Sequence, residues 1–141
     1  MEIAGHEWSS NDGKIIWYEL QQPRSTTFFI EGHHLATGEK TKYELQRDEW
    51  SIHFNSTKDN KLFCGDGGDP GQVAKAKDGM WVYLFTPSGN KFISERLVNM
   101  KNHKYSLEPN VHFSPDEKWI IFRANFEGET NVYAVEIAKH N

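Results

Sequence analysis

Three places in this chain repeat an imidazole or an amide at a fixed distance before an aspartate. His6, His53 and Asn110 each stand six residues ahead of Asp12, Asp59 and Asp116. Side chains alternate along an extended strand, so Glu108 and His112, two places either side of Asn110, fall on the same face. Asn55 holds the register of His112 in the second repeat, and Trp8 holds it in the first. Two kinds of chemistry are open to such a set. Imidazole is a base near neutral pH and the commonest metal ligand. Carboxylate and amide oxygens beside it widen the choice toward Mn²⁺ and similar ions. The expected site is a polar cluster of His6, His53, Glu108, Asn110 and His112. A plainer reading stands beside it: copies of one ancestral unit would repeat a histidine that only serves a hydrogen-bond network inside each unit.

The elements that must position these residues are strands. Each repeat reads as a strand, a polar turn centred on the aspartate, a lysine, and then an apolar run: Lys14 to Tyr18, Lys61 to Cys64, and Lys118 to Phe122. Asp and Asn in the turns bond their own backbone, and Gly13 supplies a positive φ without a Cβ clash. The runs that follow are β-branched and aromatic, as buried strands are. Further strands are expected at 27–30 and 41–45 around the turn Ala36 to Glu39, at 81–85 before Pro87 to Asn90, and at 130–136. No segment keeps a helical period. The turn aspartates are 47 and 57 residues apart, close to the roughly 40 to 50 residues of a four-stranded propeller blade. The longer interval fits an insertion at Asp66-Gly67-Gly68-Asp69-Pro70-Gly71, read as a tight loop without the spacing of a calcium-binding loop.

The expected fold is therefore all-β: one partial β-propeller domain over 1–141, of about three four-stranded blades of TolB- or WD40-like type. Its repeats run over about 1–47, 48–106 and 107–141, and the last lacks its outermost strand. An open repeat stack or a sandwich is the alternative. The innermost strand of each blade lines the central channel, which puts the histidine register there. Propellers close with about four to eight blades. Three leave open faces, which points to a piece of a longer propeller or to copies associating through exposed edges.

Composition narrows the partners. The 141 residues carry a net charge of −4 with no basic block, so nucleic acid has little support. No apolar run approaches the roughly 20 residues that span a bilayer. The N-terminal Met1 to His6 is no signal peptide, and the chain reads as cytoplasmic. Cys64, the single cysteine, sits in an apolar run and reads as a buried thiol. His33 and His34 read as an exposed pair near a turn. Phosphate-binding, dinucleotide-binding, HExxH, CxxC and GxSxG motifs are all absent.

The run Gly5-His6-Glu7-Trp8 with Asp12-Gly13-Lys14 resembles the oligogalacturonate lyase family. So do Trp50-Ser51-Ile52-His53-Phe54-Asn55, Gly65-Asp66-Gly67-Gly68-Asp69, and Glu108-Pro109-Asn110-Val111 with Phe113-Ser114-Pro115-Asp116. The resemblance covers essentially the whole chain but only the C-terminal portion of a family member, roughly the last three blades of a seven-bladed propeller. It implies cleavage of oligogalacturonides by β-elimination, with Mn²⁺ holding the uronate carboxylate and a histidine taking the C5 proton. Neutralising that carboxylate stabilises the enolate-like state the base creates. Carried across, His6 matches the base and His53 a metal-binding histidine. The family's other ligands, a Gln and two His, fall on Tyr105, Glu108 and Asn110. Glu108 and Asn110 still offer oxygens and His112 lies one strand step away, but Tyr105 is a poor substitute, so the resemblance implies a variant metal site. Acidic oligosaccharides also need cations. Arg24 and Arg47 are assigned to the substrate, with Arg96 and Arg123 as further candidates. Two other functions stay open: a non-catalytic module that oligomerises or binds carbohydrate or protein, and a TolB-like scaffold for protein partners.

Overall fold

The turns come first, because one local design is used three times. Ser10 Oγ, Thr57 Oγ1 and Ser114 Oγ each donate to the aspartate two residues on, at 2.7, 2.9 and 2.6 Å. The same aspartate oxygen accepts the N–H of Lys14, Lys61 or Lys118 at 3.1, 3.1 and 3.2 Å. Between them Gly13, Asn60 and Glu117 take left-handed φ values of 69°, 55° and 59°. The aspartate therefore closes a hairpin by satisfying backbone donors, the role its residue type predicts.

These turns link strands in a computed structural model that describes residues 1–67 and 80–137. Strands β1 (Ile3–Ser9), β2 (Ile15–Gln21), β3 (Phe28–His34) and β4 (Lys40–Leu45) form an antiparallel meander. A 3₁₀ turn at Arg47–Glu49 leads to a second meander of β5 (Ser51–Ser56), β6 (Phe63–Gly67), β7 (Trp81–Ser88) and β8 (Lys91–Asn99). The outer strands β4 and β8 meet at one parallel bridge, Glu44 with Lys91. That bridge joins the meanders into one eight-stranded sheet ordered β1-β2-β3-β4-β8-β7-β6-β5. A second sheet has β9 (His112–Phe113), β10 (Trp119–Ala124) and β11 (Asn131–Glu136). The architecture is a partial β-propeller: two four-stranded blades and, among the described residues, a third of three strands. No helix of the described residues is long and apolar enough to cross a membrane.

Period-two alternation decides what packs between blades. Trp17, Phe28, Ile30 and Leu45 of the first blade meet Phe54, Phe63, Tyr83, Phe85 and Phe92 of the second. The opposite face of the second blade, with Cys64, Val82 and Leu84, meets Ile120, Phe122 and Ala124 of the third. Burying a side chain of this size contributes roughly 1.5–3 kcal/mol, so the two inter-blade cores, not the isolated sheets, hold the array together. Cys64 is fully buried in the second core, and burial pushes its thiol well above the ordinary range. One expectation changes here. Asp66 and Gly67 do not sit in a loop but end β6, where Asp66 pairs with Val82. Gly67 lies so close to Trp81 that a Cβ would come within 2.6 Å of its carbonyl oxygen. Gly68, Asp69, Pro70 and Gly71 lie outside the described residues.

Candidate functional site

The innermost strands β1, β5 and β9 pack side by side, and each is irregular where its register residue stands. Pairing of β1 with β2 shifts between Gly5 and Trp8, and that of β5 with β6 shifts between Ser51 and Phe54. His6 takes a φ of 45° and Asn110, just ahead of β9, one of 50°. A bulge re-aims the side chains beyond it. Trp8 is sent into the first core, stacked 6.4 Å from Trp17 and 6.3 Å from Phe54, while His6 faces His53. The two imidazoles stand edge to face with centroids 5.3 Å apart. Together with Glu7 and Phe54 they line an open recess of about 380 Å³.

Behind each histidine stands a buried carboxyl group from the neighbouring strand. Glu19 Oε2 lies 2.9 Å from His6 Nδ1, and Asp66 Oδ2 lies 2.7 Å from His53 Nδ1. These acids were not anticipated. The signal was present: Glu19 and Asp66 each stand seven residues after the turn aspartate. Residues six before and seven after that aspartate meet across the hairpin, so each histidine has an acid at one place.

The two acids differ in environment. Asp66 accepts Ile52 N–H and His53 N–H on Oδ1 at 3.2 and 2.8 Å, and Asn110 N–H on Oδ2 at 3.1 Å. Burial raises its pKa, and the His53 ring together with the His53 and Asn110 N–H groups opposes the rise. Backbone N–H groups can only donate, so the arrangement suits a carboxylate with His53 Nδ1–H as its fourth donor. For His53, desolvation favours the neutral ring, but the hydrogen bond and charge of Asp66, with the charge of Glu108, outweigh it and raise the pKa. Glu19 has no such donor set. Its Oε1 is buried without a hydrogen-bond partner. Burial, with the charge of Asp66 added, pushes Glu19 up to about 10. A neutral Glu19 donates its O–H to His6 Nδ1, which leaves the ring hydrogen on Nε2.

Glu108 joins the pair, with Oε2 3.7 Å from His53 Nε2. Asn110 and His112 line a neighbouring cavity beside Ile121 and Arg123, and His112 Nδ1 lies 3.3 Å from the Asn110 carbonyl. A Mn²⁺-type ion wants about six nitrogen and oxygen ligands. His53 and Glu108 supply two donors, and among the described residues no three His, Cys, Asp or Glu side chains group to hold a metal ion. The residues present therefore do not by themselves fit such an ion. Tyr105 packs against the second core, its ring 6.1 Å from that of His103. Of the arginines, Arg24 has its Nη1 4.0 Å from Met1 Sδ, Arg47 lies over the Phe28 ring at 4.9 Å, and Arg96 over Trp81 at 5.3 Å. Only Arg123 comes beside the histidines, bonding the Glu108 carbonyl with Nε at 2.6 Å. His33 and His34 end β3, where His34 Nε2 lies 3.5 Å from Thr41 Oγ1.

No protein-family profile and no curated protein matches the sequence. Solved structures match the fold. The oligogalacturonate lyase of Vibrio parahaemolyticus superposes with a TM-score of 0.79 at 20% identity, over 98% of this chain and 36% of that one. An oligogalacturonate lyase in complex with manganese superposes with a TM-score of 0.79 at 23% identity, again over 98% and 36%. The chain thus spans 36% of the length of the lyases whose fold it shares.

Proposed function

We propose that this chain carries part of a site that binds acidic oligosaccharides of the galacturonate type and removes the proton beside a uronate carboxylate, the opening step of β-elimination. The observation that carries the reading is the histidine pair: two imidazoles at 5.3 Å, each anchored through Nδ1 to a buried acid. The anchors fix both rings through Nδ1 and turn Nε2 of each away from its buried acid. The fold shared with oligogalacturonate lyases supports the substrate class. In the reaction a base takes the C5 proton, the C4–O bond to the leaving sugar breaks, and a C4–C5 double bond forms. His6 is the base in this reading. It accepts at Nε2 when Nδ1 keeps its hydrogen against an ionised Glu19.

The test is to mix the purified chain with digalacturonate, with and without Mn²⁺, and follow the ultraviolet absorbance of the unsaturated product. A rise that His6→Ala abolishes is expected. A flat trace from folded chain in both conditions would remove catalysis by this chain. A second reading is then favoured, a carbohydrate-binding module, because the donors around His53 do not by themselves complete a metal site.

A further inference from the structure

The third blade breaks the pattern of the first two at one position. Seven residues after the turn aspartate, where Glu19 and Asp66 stand, it has Arg123. On β10, Ile120, Phe122 and Ala124 are buried against the second blade, so Arg123 belongs to the opposite face with Ile121. It is held in place from two sides. Its backbone N–H bonds the Pro109 carbonyl at 3.0 Å, and its side-chain Nε–H bonds the Glu108 carbonyl at 2.6 Å. Among the described residues no carboxylate comes within ion-pair distance of its guanidinium. Glu108 itself turns its carboxylate to His53.

Arg123 lines a cavity of about 220 Å³ with Pro109, Asn110, His112, Ile121 and Val132. The lining has a cation at one side, an amide and an imidazole beside it, and an aliphatic wall. The cavity adjoins the histidine pair through Glu108, whose carbonyl accepts from Arg123 Nε–H and whose carboxylate lies 3.7 Å from His53 Nε2. A guanidinium fixed through Nε still offers a planar pair of N–H donors, the match for a carboxylate.

We propose that this cavity is a carboxylate-binding subsite, taking the uronate group of an acidic sugar with Arg123 as its anchor. Asn110 and His112 bond the sugar hydroxyls, and Ile121 and Val132 cover its apolar face. The choice of a sugar as the carboxylate's carrier rests on the functional reading above.

Binding of galacturonic acid, which has no glycosidic bond to break, tests the subsite apart from catalysis, with galactose as the neutral control and calorimetry as the readout. Galacturonate should bind about tenfold tighter than galactose, the order set by one charge-assisted pair of hydrogen bonds. Arg123→Gln should erase that preference and Arg123→Lys should keep part of it. Val132 is the cross-strand neighbour of Arg123 and 76% exposed, so Val132→Glu leaves the core alone and places a competing carboxylate at the guanidinium; it should erase the preference as well. Retention of the preference in folded Arg123→Gln or Val132→Glu, or equal binding of the two sugars by the parent chain, would overturn the proposal. Lyase activity absent with the preference intact would instead overturn the catalytic reading and leave the subsite standing.

Discussion

Glu19 governs how the first histidine can work. With one oxygen on His6 and the other unpartnered, it stays protonated in the folded chain up to about 10, against 4.5 for the free side chain. Between those values the folded chain holds a proton that the unfolded chain has released, so stability falls as pH rises through the window. Glu19→Gln keeps the shape without the ionisation. Thermal melts should find the variant more stable than the parent, with a gap that widens from about pH 5 to 9 by up to about 1.4 kcal/mol per pH unit. A gap that stays constant with pH would refute a protonated Glu19. The same proton count bears on catalysis: with Glu19 neutral the His6 ring hydrogen sits on Nε2, so lyase activity should climb with pH on the alkaline side, and a rate that is flat above neutrality would argue against His6 as the base.

Asp66 behaves differently because its lone pairs face donors. Asn at this position would aim an NH₂ group at backbone N–H groups. Asp66→Asn should cost about 3 kcal/mol in chemical denaturation, the scale for breaking a buried ion pair, and should lower the His53 pKa followed by NMR, since Asp66 helps to raise it. An unchanged His53 titration would show that Asp66 does not control the ring. His6 and His53 were legible in the sequence because one register repeats. Their acids were missed for physical reasons: Asp66 opens a glycine-rich run that reads as a loop, and the bulges that bring acid and histidine together leave no mark in a period-two pattern.

At the scale of elements, strands and turns follow from local chemistry, so they could be read directly. The serine or threonine, the aspartate and the left-handed residue recur at each hairpin because each satisfies backbone groups within a few residues. Asp12, Asp59 and Asp116 are all held below the ordinary 3.8, by Ser10, by the Lys61 N–H and by Ser114 respectively. Their contribution is present above that value and is lost as pH falls through the lower folded values. The bridge of β4 to β8 was not legible, since it depends on how two finished blades meet. Close approach is likewise a tertiary matter. Gly32 on β3 faces Trp17 on β2, and a Cβ there would lie 2.6 Å from the indole ring. Trp17 is 2% exposed and donates Nε1–H to Asn60 at 3.0 Å, so the ring has little room to retreat. Gly32→Ala should therefore destabilise the chain by about 1–3 kcal/mol. Urea denaturation measures it, and a neutral result would mean that the indole can shift without loss.

The whole molecule is a linear array in which the second blade is shared. Its one face completes the first core with blade one, and its other face completes the second core with blade three. Among the described residues blades one and three have no core in common, so coupling between their cores passes through blade two. In arrays of this kind stability is a sum of unit and interface contributions, and the weakest unit opens first. The third blade is the candidate. Trp119 and Val132 are exposed on it, and among the described residues it has three strands and β11 pairs on one side only. Two side-chain ties run from the second blade to the third at the backbone level: Asp66 to Asn110 N–H, and Asn55 Oδ1 to Phe113 N–H at 3.3 Å. Two more join the turns, where Lys58 Nζ bonds the Pro115 carbonyl at 2.7 Å and the Lys58 N–H donates to Glu117 Oε1. Phe122→Ala removes a buried ring from the second core, a loss of about 3–5 kcal/mol at that interface. Amide hydrogen exchange should then accelerate strongly over β9 to β11 and at the Asn110 N–H, while β2 and β3, packed in the first core, keep most of their protection. Equal acceleration in all three blades would mean that the chain unfolds as one unit, and the independent-interface description would have to be given up.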